Sequence, residues 1–198
     1  MAHRTILTAR QRATLFDLPT DEASTLYHYT LSDDDLEHIN ERRRGRNRFG
    51  FALQLCALRY PGRLLASGEV IPSEVTRFVG AQLGLGADAL AEYATRAETR
   101  RDHLIVLREV YGFRMFSGHR ARELKAWLAG EAENAITNHD LARRFVGECR
   151  RTKTILPGVS VIERLCADAL VAAERRIDSA IVARLDETLK ARLDALLT

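Results

Sequence analysis

The chain has 198 residues, of which 46% are hydrophobic and 29% charged, enough for one large or two small domains that bury roughly 70% of the surface an extended chain exposes. That balance excludes a disordered chain, and three widely spaced cysteines exclude a disulfide scaffold. The net charge is only +3 and the pI about 8.9, a weak nucleic-acid signal if the charges were evenly spread.

They are not evenly spread. Residues 1–95 carry 11 basic and 12 acidic side chains, with five of the basic ones inside Arg42–Arg48; residues 96–153 carry 13 against 8, and residues 154–198 carry 6 against 7. Of the 30 basic residues 27 are arginine, which suits phosphate and guanine because the planar fork donates two parallel hydrogen bonds. A GC-rich coding sequence produces the same bias, so placement carries the weight. Cys56, Cys149 and Cys166 each stand in an apolar stretch and read as small core side chains in a reducing setting. The opening MAHRTILTARQRATLF lacks a signal-peptide core, and no run reaches the roughly 18 apolar residues of a membrane span. A soluble, cytoplasmic protein is expected.

Apolar residues recur at helical spacing nearly throughout and no segment alternates as a half-buried strand does, so the expected fold class is all-α. In chain order, Thr8 with Gln11, Ser32 with Asp35, Thr137 with Asp140 and Ser160 with Glu163 each pair a capping residue with a polar partner three positions on. Pro61–Gly62 and Pro157–Gly158 mark turns, Pro72 a first helical turn, and Gly112 and Gly130 left-handed caps. The polar stretch Gly84–Asp88 divides the chain into two helical modules of helix-turn-helix type, residues 1–86 and 87–198, the second including C-terminal connecting helices.

In the first module, helices at about Asp21–Tyr29, Asp33–Glu41 and Arg46–Arg59 are joined by very short links, the layout of a helix-turn-helix trio. Arg42, Arg43, Arg44, Arg46 and Arg48 crowd the start of the third helix. Cations there oppose the partial positive charge of a helix N-terminus, so the cluster is not helix stabilisation. A polyanion resolves the repulsion, its phosphates accepting from arginines and free backbone amides. A solvated loop balanced by Asp33, Asp34, Asp35, Glu37 and Glu41 is the plain alternative.

In the second module, a helix at about Glu98–Tyr111 is expected to bury Leu104, Leu107, Val110 and Tyr111 and to leave Arg100, Arg101 and Arg108 at polar positions. Ser117 caps a helix to Ala129 that buries Leu124, Trp127 and Leu128 and begins with His119, Arg120, Arg122 and Lys125. From Asn138 to Arg151, Leu141, Ala142, Phe145, Val146 and Cys149 form one arc, and Arg143, Arg144, Arg150 and Arg151 the opposite one. One basic helix alone reads as a solvated face; two such arrays read as a DNA-facing surface. No CxxC, HExxH, GxxxxGK[ST], GxGxxG or GxSxG string occurs, so no metal, nucleotide or activated-serine site is expected.

The stretch TLSDDDLEHINERRRGRNRFGFALQLCALRYPGR, from Thr30 to Arg63, resembles the N-terminal signature of replicative transposases of the Tn-three family, with Phe49 in place of the usual leucine. LTARQRATLFDLPTDE, IPSEV, TRRDHLIVLREVYGFRMF and KTILPGVSVIERLCADALVAAERRI resemble the same region in order, so the likeness spans almost the whole chain. It implies binding to the double-stranded inverted repeats at transposon ends, and a bacterial, nucleoid-associated location. It also implies that catalysis, through an acidic triad holding divalent metal, belongs to a ribonuclease-H-like domain absent from this sequence, leaving no cofactor and no enzymatic activity here. The remainder of a transposase chain is the implied partner, and the isolated chain is expected to be monomeric or weakly homodimeric. Two rivals remain: a stand-alone regulator occupying the same ends, and a helical interaction or assembly module built on the C-terminal seam of Val182, Leu185, Leu189, Leu193 and Leu196.

Overall fold

The computed structural model describes residues 7–86, 89 and 97–197. Ten α-helices occur among them: α1 (Ala9–Phe16), α2 (Glu22–Tyr29), α3 (Asp33–Asn40), α4 (Gly45–Arg59), α5 (Ser73–Leu83), α6 (Ala97–Tyr111), α7 (Gly118–Glu131), α8 (Asn138–Arg151), α9 (Val159–Arg184) and α10 (Glu187–Leu197). The only strands among the described residues are β1 (Arg114–Met115) and β2 (Thr154–Ile155), paired in parallel with Arg114 opposite Thr154. The fold is all-α as expected; a two-residue ladder is too short to leave a period in the sequence.

Local chemistry sets most helix starts. Thr8 accepts from the Gln11 amide while Gln11 accepts from the Thr8 amide, and Ser32 and Asp35 do the same for α3. Thr137 accepts from the Asp140 amide at 3.1 Å. The fourth signal fails, because α9 starts at Val159 with Gly158 as its cap and Ser160 lies inside the first turn. Glu163 instead accepts from the Leu7 amide and from Arg12, tying α1 to α9. Gly112 ends α6 at φ +74°, where a side chain would be strained. Gly130 stays inside α7, which continues into a 3-10 turn at Ala132–Asn134. Pro72 occupies the cap of α5, one position before its first turn.

Two apolar clusters hold the chain together. One gathers Tyr29, Ile39, Phe49, Phe51, Leu53, Val75 and Val79 from α2–α5 with Leu107 of α6; the other gathers Leu15 and Phe16 of α1 with Leu124, Leu128, Leu141, Phe145, Ile162 and Cys166 from α7–α9. The first helix thus packs with the later ones, and α6 packs with the earlier ones. Every residue of α4 from Phe49 to Leu58 is buried, and a helix buried all round needs cover on every side, part of which α6 supplies through Leu107 and His103. Val110, expected in the core, is 45% exposed. All three cysteines are buried and free, their thiols pushed up to about 12 by burial.

Beyond Ala173, α9 runs on with its side chains exposed. Val182 and Leu189 of the predicted C-terminal seam are exposed and Leu185 is half-buried; the side chains of Leu193 and Leu196 lie outside the described residues, as do Ala87 and Asp88 of the predicted boundary segment.

Candidate nucleic-acid interface

An ion pair fixes how α3 sits on α4. Asp35, 2% exposed, receives two hydrogen bonds from Arg59, at 2.8 and 2.7 Å, and one from the Ser32 amide at 2.9 Å, which fixes α3 against the C-terminal end of α4. The arginine cluster lies at the other end of α4. Arg44 sits at the N-cap with no side-chain cap bond, and Arg46 and Arg48 lie in the first turn. Arg43 and Arg44 are exposed and make no ion pair with a described residue. Arg42 is different: it pairs with Glu41 at 2.7 Å and lays its guanidinium 5.0 Å from the centre of the Phe51 ring.

On α6, Arg100 is half-buried and Arg101 and Arg108 are exposed. His103 belongs to no sequence motif, although it lies one turn before Leu107 on the same buried face. Its ring meets Phe51 edge-on at 5.2 Å. Burial, and then the charge of Arg42, push its pKa down to about 4. An unfolded histidine titrates near 6.5, so between those values the unfolded chain binds more protons. Stability is therefore expected to fall as pH drops from about 6.5 towards 4, by about 3 kcal/mol at the lower end. Urea unfolding across that range checks this, and His103→Gln should flatten the dependence.

The second basic region divides into cations already engaged and cations left free. Arg120 donates through Nε to Thr154 Oγ1 at 2.9 Å and pairs with Glu123 at 3.0 Å, anchoring α7 to β2. His119 lies 3.2 Å from Glu123. Arg122 and Lys125 are exposed and make no ion pair with a described residue. On α8, Arg143 pairs with Asp140, Arg144 with both Glu131 and Asp140, and Arg151 with Glu148. These are surface pairs of small energetic weight that a phosphate can displace.

Arg150 departs from the predicted outer arc. Its Nε donates to the Pro61 carbonyl at 2.7 Å, its Nη2 donates to the Leu15 carbonyl at 3.0 Å, and its guanidinium stands 4.3 Å from the centre of the Tyr60 ring. The reason is phase: position 150 follows Val146 by four residues, only about 40° round the helix from it. The turn that receives it requires glycine at position 62, where φ is +103° and a Cβ would come 3.2 Å from Arg150 Cγ. Among the described residues no group of three or more His, Cys, Asp or Glu is placed to hold a metal ion, and no helix is long and apolar enough to cross a membrane.

Architecture and surface define a helical, arginine-rich region in which Arg43 and Arg44 at the start of α4, and Arg122 and Lys125 on α7, are exposed and make no ion pair with a described residue. The chain belongs to the family described as a domain of unknown function, DUF4158, whose profile matches residues 6–169. It is 38% identical over 197 residues to the transposase for transposon Tn21 of Escherichia coli, 39% over 197 residues to that for Tn3926 of Escherichia coli, and 36% over 197 residues to that for Tn501 of Pseudomonas aeruginosa. Each alignment takes in 100% of this chain and 20% of the relative. The chain therefore spans about one fifth of the length of the curated relatives it matches, and the likeness carried by Thr30–Arg63 extends across the whole of it.

Proposed function

We propose that this region binds the double-stranded inverted repeats at transposon ends as a non-catalytic, DNA-gripping part of a transposase, with cutting and joining performed by residues outside it. Two helical modules of helix-turn-helix type supply the grip in this reading. The observation that carries it is the pair Arg43 and Arg44 at the start of α4, exposed and without an ion pair to a described residue, where cations oppose the helix dipole. A phosphate relieves that opposition. The name of each relative, a transposase, supports the same reading.

The test is binding to an inverted-repeat duplex against a scrambled duplex over a salt series. Tighter binding to the repeat is expected, with log K falling linearly in log salt at about 0.9 per phosphate engaged. Equal binding to both duplexes removes the specificity, and no binding at low salt removes the reading. A helical interaction module is favoured by one observation only, the exposed apolar residues Ile177, Ile181 and Val182 on α9. That reading requires changes at Leu185 and Leu189, and not at the arginines, to abolish partner binding.

A further inference from the structure

Gly147 stands in the interior of α8, more than two turns from its start and one turn from its end. Glycine at such a position weakens a helix relative to alanine, because the backbone gives up more freedom and no side chain packs in return. Nothing in the described fold requires it. Gly147 is exposed, its φ is not positive, and a Cβ there would meet no described residue within 4 Å. The remaining use of an exposed helical glycine is to let another molecule approach the backbone closely.

The face around Gly147 is charged. Residues 143, 147 and 151 follow at four-residue steps, so Arg143 and Arg151 flank the glycine one turn to either side, about 12 Å apart along the axis. At about 100° per residue Gly147 lies close to directly opposite the buried arc of Leu141, Ala142, Phe145, Val146 and Cys149. Both arginines project beyond the carboxylates they pair with: the Arg143 side chain is 69% exposed against 19% for Asp140, and that of Arg151 72% against 13% for Glu148. The outermost charge on each side of the glycine is therefore positive. Asp140 accepts from Nη2 of Arg143, and Glu148 accepts from Nε and Nη2 of Arg151, which leaves Nη1 of each arginine without an acceptor among the described residues. Asp140, Arg143, Arg144, Gly147, Glu148 and Arg151 include no apolar side chain, so this face lacks the apolar centre of a protein-docking surface, whereas a polyanion complements it.

We infer that α8 lays this face directly on the DNA duplex, with Gly147 the point at which the helix backbone touches it and Arg143 and Arg151 on phosphates to either side. A side chain at position 147 would hold the helix away from the duplex and lengthen the reach of both arginines. This rests on the DNA-binding reading above and assigns it the helix that makes the close approach.

The experiment compares the full chain with Gly147→Ala and Gly147→Gln by thermal unfolding and by affinity for an inverted-repeat duplex. Alanine should raise the thermal midpoint by about 2–4 °C, and glutamine should not lower it. Affinity should nevertheless fall several-fold for alanine and further for glutamine. Stability and binding that move in opposite directions separate a contact from a structural role, and neither variant removes a cation. Arg143→Gln and Arg151→Gln should each make the salt slope shallower by about 0.9 in the parent, and by less in the Gly147→Gln background. Gly147 variants that bind the repeat as tightly as the parent overturn the close approach while leaving DNA binding intact, and so does a loss of affinity that comes with a lowered thermal midpoint. A parent that binds no duplex overturns both.

Discussion

Asp35→Ala is expected to lower the unfolding free energy by about 3–5 kcal/mol, the range for breaking a shielded ion pair from one side. Asp35 is 2% exposed, accepts two hydrogen bonds from Arg59 and caps α3 through the Ser32 amide. Its removal leaves the Arg59 guanidinium without its carboxylate, facing the Tyr111 ring, and also costs roughly 1 kcal/mol of capping. Adding Arg59→Met should recover the part due to the stranded charge and leave the capping loss, so urea midpoints for the two singles and the double separate the contributions. The acid response follows from the same contacts. Burial favours the neutral form of Asp35, but the Arg59 and Ser32 hydrogen bonds outweigh it and hold the pKa below the usual carboxylate value. The stability this carboxylate contributes is therefore complete above about pH 4 and is lost as pH falls through its lowered pKa, on the acid side of the window in which His103 acts.

The part of this fold that is legible in the sequence is local. The boxes at Thr8 and Ser32 are written within four residues, and both form as expected. The signal at Ser160 has the same form but fails because Glu163 is used by Leu7 and Arg12, more than 150 residues away in the chain. The helix at α4 is readable from its spacing, whereas its burial on all sides is not, because a segment with apolar residues on every face has no period that identifies its neighbours. The basic residues at 42–48 and 100–101 are visible as charge, but the packing of α6 on α4, with His103 against Phe51 and Tyr111 under Arg59, exists only in the folded chain. His103 is a lone histidine at helical spacing and carries no motif, although its distance from Leu107 marks the same face. On α8 the buried arc matches its period, with Leu141, Ala142, Phe145, Val146 and Cys149 all enclosed. The arginines beside that arc share a charge but not a direction, and Arg150 alone among them turns inward.

Arg150 therefore carries an expectation opposite to that of its neighbours. Arg150→Ala removes the donor to the carbonyls of Pro61 and Leu15 and the cation over Tyr60, and hydrogen bonds from a charged group are worth about 1.5–3 kcal/mol each. Bonds from one guanidinium are coupled and do not sum fully, so a loss of about 2–4 kcal/mol is expected. Both cores should feel it, because Leu15 belongs to the cluster of α1 and α7–α9 while Tyr60 packs against the cluster of α2–α6. Arg150→Lys should rescue only part, since a single ammonium on a flexible stem cannot reproduce the planar fork that reaches both carbonyls. At a temperature where the variant remains folded, its DNA affinity and salt slope should match the parent. Arg122→Ala with Lys125→Ala, at exposed positions without ion pairs to described residues, should do the reverse: unchanged thermal unfolding, and a salt slope shallower by about 0.9 for each phosphate no longer engaged. A stable Arg150→Ala protein with a reduced salt slope would return that side chain to the DNA-facing surface and remove it from the joint between the two cores.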